Sequence, residues 1–300
     1  MIPAQEARLA PVPLARGQRL LAYLDLAKPR VVLLIVLTTL VGFYLGARGP
    51  AGHWLLFHTL ASTAMAAAGT LALNQYLERD LDALMLRTRL RPLPAGKLLP
   101  HDALVFGNLL AAAGITYQTL AVGALPGLVT AATTASYLFL YTPMKRWTPF
   151  CSLVGAVPGA LPPVTGWAAS TGGLGTGAWV LFCILFLWQL PHSLAIARMY
   201  REDYARAGIR LLPVIDPDGG STGRQIVINS AALLSVALLP TVVGVSGRCY
   251  FFAALALGFM LLGFSIRLAR TRALPDARRL LFASLVYLPT LLAVMAADKI

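Results

Sequence analysis

Asn74, Glu78 and Asp82 recur every four residues. At 100° per residue they fall within an arc of about 80° on one helix face. Three oxygen-bearing side chains stacked over two turns can hold a hard cation. Mg2+ suits such a set, because it takes a few carboxylates and completes its shell with water and phosphate oxygens. Asp80 lies among them, and Arg87, Arg89, Arg91 and Lys97 follow before residue 98. Acids first and bases after describe a site for a cation and for the phosphate it would neutralise. Glu202 and Asp203, with Asp216 further on, form a second acidic cluster. Acids beside apolar spans are costly, so a functional reading comes first. The competing reading is a solvated loop whose acids pair with nearby arginines. It leaves unexplained why Asn74 and Glu78 share one face at a span's end.

An anion site needs bases, and Lys28, Arg30, Arg87, Arg91, Lys145, Arg146 and Arg206 are candidates. Each also reads as a topology signal on one side of a membrane. Arg87 and Arg91 stand closest behind the acids. His192 is the only one of the four histidines inside a span near the second cluster. If its helix continued, Asp203 would sit about 20° from it, so Trp188, His192 and Asp203 would line one wall. A packed histidine bonded to a backbone carbonyl is the plainer alternative. Cys151, Cys183 and Cys249 are scattered through apolar runs, which points to packing rather than metal or disulfide chemistry.

The elements that must position these residues are membrane helices. Of the 300 residues 58% are hydrophobic and 12% charged, with a mean hydropathy of +0.71. Ordinary soluble domains carry about 25% charged residues. The apolar runs are continuous and approach ~20 residues, the length of a helical span, and lack the alternation of a barrel strand. An all-α polytopic membrane protein follows, since a backbone in lipid must satisfy its own hydrogen bonds. The runs predict nine transmembrane helices around a central cavity, at about 31–47, 53–76, 103–122, 128–141, 150–169, 178–199, 224–245, 250–268 and 278–297. Pro158, Pro162 and Pro163 predict a kinked or partly unwound fifth span. Residues 1–27 read as a short cytoplasmic leader without a signal peptide. Residues 28–300 form a single domain whose polar loops, 77–101 and 199–223, carry the two acidic clusters.

The net charge of +13 would suggest nucleic acid in a soluble protein. Here its distribution explains it. With nine spans, every Lys and Arg except Arg48, Arg248 and Lys299 falls on one side. That asymmetry puts the N-terminus and both acidic loops in the cytoplasm and the C-terminus opposite. No nucleic-acid partner is needed.

These residues resemble the UbiA-type intramembrane prenyltransferases. The resemblance covers essentially the whole chain. Asn74-x-x-x-Glu78-Arg-Asp80-Leu-Asp82, then Arg87-Thr88 and Arg91-Pro92-Leu93, is similar to the family's first aspartate-rich motif. Tyr141-Thr-Pro-Met-Lys145-Arg146, the run from Gly155 to Pro163 with Gly166-Trp167, Trp188-Gln-Leu-Pro-His192, and Tyr200-Arg-Glu-Asp203-Tyr-Ala-Arg206 resemble its haem-modifying branch. There are departures: Gln75 stands where many members have Asp, Glu78 where Asp is common. Tyr200 and Tyr204 replace the second Asp-x-x-x-Asp of the quinone-type branch. The resemblance implies a UbiA-type fold in the cell membrane and farnesyl transfer from farnesyl diphosphate to a vinyl group of haem B. In that reading Asn74, Glu78, Asp80, Asp82 and Asp203 hold Mg2+, with Glu202 assisting. The seven bases bind diphosphate, and His192 and Trp188 face the haem. Haem B is a substrate, and a haem A synthase or an oxidase assembly factor is the expected downstream partner. Two rivals stand beside it: a prenyltransferase of a quinone precursor, and a transporter using the same charges for a permeant ion.

Overall fold

The computed structural model describes residues 15–49 and 52–300. Residues 1–14 of the expected leader lie outside the described residues. Those from Arg16 on form a helix, α1 (Arg16–Ala27), which buries Ala22 and Leu26 against Ala72, Leu93, Leu98 and Ala103. Its opposite face shows Leu20, Leu21 and Leu24 beside arginines, the pattern of a helix lying in the membrane interface. Lys28 then takes a left-handed conformation (φ 52°), and Pro29 opens α2 (Pro29–Gly46) at its first position. Proline suits that position because its missing N–H would be unsatisfied there anyway.

Among the described residues, eight helices are long and apolar enough to cross a membrane. They are α2, α3 (His53–Leu84), α4 (Pro100–Ala121), the run 124–144, α9 (Thr176–Met199), the run 220–242, α14 (Arg248–Thr271) and α15 (Leu274–Ala297). The run 124–144 is α5 (Ala124–Ala135), a π-helical segment (Ser136–Tyr141) and α6 (Thr142–Met144). The run 220–242 joins α12 (Gly220–Val236) to α13 (Leu239–Val242). The expected fifth span is two ten-residue helices, α7 (Cys151–Ala160) and α8 (Pro162–Thr171), broken at Leu161, with Pro162 opening the second. Nine expected crossings therefore become eight long apolar runs, two of them composite, and one broken pair. Proline removes a backbone donor and its ring clashes with the preceding turn, which explains the break. The short helices α10 (Arg201–Arg206) and α11 (Leu212–Ile215) lie in the second polar loop.

Hydrophobic attraction between helices is weak in lipid, so small residues decide where helices meet. Gly42 and Gly166 are the clearest case. A Cβ on Gly42 would stand 2.0 Å from the Pro163 carbonyl oxygen, and one on Gly166 2.0 Å from that of Thr39. The backbones of α2 and α8 touch there. α3 packs most extensively on α4, while α9, α12, α14 and α15 form the other main group. Tyr250, Tyr287, Leu261 and Leu291 fill the core of that second group.

Candidate functional site

α3 carries the acidic face, and runs eight residues past its expected end at Tyr76. Asn74, Glu78 and Asp82 are 2%, 7% and 1% exposed. Three polar residues buried in register on a membrane helix need partners, and each has them. The Asn74 amide donates to Thr142 Oγ1 at 3.2 Å, leaving its carbonyl oxygen without a donor among the described residues. Lys145 Nζ stands 2.5 Å from Glu78 Oε1. Arg91 Nη1 donates to both Asp82 oxygens, at 2.8 and 2.7 Å. The π-helical segment brings Thr142 and Lys145 to α3; such insertions in helices recur at functional sites.

Lys28 is the third base at this face. Gln75, 1% exposed, donates to the carbonyls of Asp25 and Leu26 at 3.2 and 2.8 Å. That latch holds the end of α1 against α3 and fixes the left-handed turn at Lys28. Burial, with the repulsion of Arg91, pushes the Lys28 pKa down to about 7 against the pull of Glu78. Lys145 behaves differently. Burial opposes its charge, but Tyr141 and the Glu78 carboxylate outweigh that and raise its pKa above the ordinary lysine value. Its ammonium also sits 4.3 Å from the centre of the Tyr141 ring.

Asp203 reaches the site from the other half of the chain. It accepts the backbone N–H groups of Leu86 and Arg87, both at 3.2 Å, and pairs with Arg206. Burial pushes its pKa up, but the bonds from Arg87, Leu86 and Arg206 win and hold it below the usual carboxylate range. Asp203 thus pins the loop that follows α3. The Arg87 guanidinium lies 4.9 Å from the centre of the Tyr200 ring and donates to Tyr204 Oη at 3.3 Å. The two tyrosines in place of acids therefore hold a base.

Other expected residues are not brought in. Asp80 is 84% exposed on the far side of α3, beside Arg79. Glu202, Arg30 and Arg146 are exposed, with no ion pair among the described residues. α9 ends at Met199, and Tyr200 (φ −108°, ψ 27°) separates it from α10. The helix does not continue, so the single wall expected of Trp188, His192 and Asp203 is not formed. Trp188 and His192 turn to α15 instead. Their rings stack at 4.8 Å, Trp188 Nε1 donates to the Ser284 carbonyl, and His192 Nδ1 lies 2.8 Å from Ser284 Oγ. That hydroxyl spends its single proton on the Leu281 carbonyl at 2.7 Å. Both contacts hold at once only if His192 Nδ1 carries a proton, which leaves Nε2 with a free lone pair.

Among the described residues no three His, Cys, Asp or Glu side chains gather into a metal cluster. Two carboxylates and one amide oxygen are too few for an all-protein cage. They fit Mg2+ that shares its shell with phosphate oxygens.

A family model described as the UbiA prenyltransferase family matches residues 35–286. The chain belongs to the UbiA prenyltransferase family. Among its relatives, the protoheme IX farnesyltransferase of Solibacter usitatus is 49% identical over 92% of this chain and 98% of that protein. The one from Aquifex aeolicus is 38% identical, covering 93% and 95%. Solved UbiA-type structures share the fold. A digeranylgeranylglyceryl phosphate synthase superposes with a TM-score of 0.79 at 14% identity, covering 94% of this chain and 98% of the other. A UbiA homologue from Archaeoglobus fulgidus, bound to GPP and Mg2+, gives 0.64 at 16% identity, covering 91% and 99%. As a UbiA prenyltransferase the chain is a multi-pass membrane enzyme, and a transporter reading has no support.

Proposed function

We propose that the chain transfers the farnesyl group of farnesyl diphosphate to a vinyl group of protohaem IX (haem B), releasing diphosphate and forming haem O. The observation that carries this is its 38–49% identity, over nearly whole lengths, to proteins named for that reaction. The geometry supplies the chemistry. Lys145 and Arg91 act as counter-ions of Glu78 and Asp82 until substrate arrives. The same bases, with Lys28 and Arg87, then turn to the phosphate oxygens. Mg2+ held by Asn74, Glu78 and Asp82 would supply positive charge against the leaving diphosphate. The allylic C–O bond breaks with its electron pair going to diphosphate, whose charge the preorganised bases stabilise. The terminal carbon of the vinyl group attacks C1 of the farnesyl cation. The new cation, on the carbon next to the porphyrin ring, is quenched by one water, which loses a proton. Farnesyl diphosphate, haem B and water thus balance against haem O and diphosphate.

His192 is the residue on the haem side. Its Nδ1–H bond to Ser284 fixes the ring and aims Nε2 as the ligand or acceptor, as a partner on the far nitrogen does for histidine ligands generally. Trp188 supports the ring from one face. The positive-inside asymmetry supports a cytoplasmic N-terminus and site in the cell membrane. A haem A synthase or oxidase assembly step would consume the product.

The test offers membranes carrying the chain farnesyl diphosphate and Mg2+, with haem B in one arm and an aromatic acid acceptor in the other. Farnesylated haem is expected in the first arm only. Product in the second arm alone would move the chain to the quinone-type branch.

A further inference from the structure

A second site lies outside the reaction centre. Between α12 and α14, at the end of the bundle that also carries Asp203, there is a groove of about 510 Å³. Its mouth holds Arg224 and Arg272, and Val227, Ile228 and Ala269 form its apolar walls. Arg198, from the last turn of α9, completes the basic end. Its Nη2 donates to the Arg272 carbonyl, while its Nη1 is buried without any hydrogen-bond partner. A small void of about 10 Å³ lies against Arg198, Gly219 and Arg272. That is the scale of a single polar atom or water. Gly219, left-handed at φ 70°, lies beside the same guanidinium: a Cβ placed on it would meet Arg198 Nη1 at 3.7 Å, an ordinary contact.

Arg224 and Arg272 line the groove, Arg272 and Arg198 line the small void beside it, and none of the three has an ion pair among the described residues. Asp216 lies within the electrostatic reach of Arg198 but makes no ion pair with it, and its Oδ2 accepts the N–H and hydroxyl of Thr222. An orphaned buried donor beside two unpaired arginines is costly unless an anion completes it. The apolar half narrows the choice. Val227 and Ile228 lie one turn deeper along α12 than Arg224, and Ile228 is 59% exposed on the lipid-facing side. A free anion would have no use for that wall. An amphiphile with an anionic head at the interface and an apolar tail fits both halves.

We infer that the α12–α14 groove is a structural binding site for one anionic phospholipid. Its phosphate is held by Arg198, Arg224 and Arg272, and its acyl chain lies along Val227 and Ile228. Basic pockets between membrane helices commonly recognise lipid headgroups, and each arginine near the surface contributes about fivefold in affinity. None of the three belongs to the diphosphate site.

The test uses the full chain in detergent and counts bound lipids by native mass spectrometry, with phosphatidylglycerol and phosphatidylcholine as probes. Wild type should retain one phosphatidylglycerol in preference to phosphatidylcholine. The double variant R224Q and R272N should bind it about 30-fold more weakly; asparagine is chosen because it tolerates the left-handed backbone at Arg272 (φ 55°). Unchanged farnesyl transfer to haem by the double variant would show that it is folded. Ala269→Leu, which fills the groove and leaves every charge in place, should weaken the lipid as well. Binding within twofold of wild type in both variants would overturn the inference. So would equal retention of phosphatidylcholine. Displacement by inorganic phosphate alone would assign a free-anion site, and mole-for-mole displacement by haem B would assign the groove to the acceptor.

Discussion

Arg91→Ala probes the exchange of counter-ions at the acidic face. In the structure one guanidinium nitrogen bridges both oxygens of Asp82, at 2.8 and 2.7 Å. A cation entering there must displace it. A hydrogen bond to a charged group contributes about 1.5–3 kcal/mol. Because the Arg91 side chain is 25% exposed, the lower part of that range applies. About 1.5–2 kcal/mol corresponds to a 10–30-fold change in an equilibrium constant. Removing Arg91 should therefore lower the half-saturating Mg2+ concentration by about that factor. The same variant loses a donor to the departing diphosphate, so kcat should fall by about 10²–10³-fold. Asp82, buried and now unpaired, should also make the variant unusually sensitive to chelators in thermal melts. Mg2+ titrations with product quantified by chromatography give the first two numbers. A half-saturating Mg2+ concentration that stays constant or rises would refute the exchange.

Lys28 gives a pH prediction. With its pKa pushed down to about 7, the free protein loses that charge as pH rises through neutrality. kcat/KM for farnesyl diphosphate should fall between about pH 6 and pH 8, because it reports the free enzyme. Lys28→Arg, which stays protonated, should abolish that limb. Asp203 works with the opposite sign. A depressed carboxylate stabilises above its unfolded value, about 3.9, and that stability is lost as pH falls through the lower folded value. The segment after Leu84 should become protease-sensitive below about pH 4. Asp203→Asn should weaken it at neutral pH, by about 2–3 kcal/mol for the charged bonds lost. Gly42→Ala forces α2 away from Pro163 and should cost about 1–3 kcal/mol, read as a lower melting temperature with Mg2+ affinity unchanged.

The spans were legible because continuous apolar length is a direct consequence of the solvent, and the break in the fifth followed from its prolines. The face shared by Asn74, Glu78 and Asp82 follows from helix geometry, which also sets Asp80 about 200° from Glu78 on the far side. What sequence left hidden is tertiary. The 12-residue α1 is amphipathic and basic, so it resembles a leader until its contacts with α3 are seen. The Gln75 latch bonds two carbonyls about fifty residues away, and nothing local marks it. Gln75 replacing an acid was visible, and that departure was the one available signal. Asp203 does not share a wall with His192 because Tyr200 breaks the helix between them. Its partners, two backbone N–H groups after α3, have no sequence signature at all.

The central claim is that the buried face of α3 is where farnesyl diphosphate is cleaved for transfer to haem. Mass spectrometry of haems extracted from membranes expressing the chain, or Asp82→Ala, tests it most directly. Wild type should yield haem O, and the variant should yield haem B alone at equal protein levels and with an intact thermal transition. Near-normal haem O from Asp82→Ala would contradict the account.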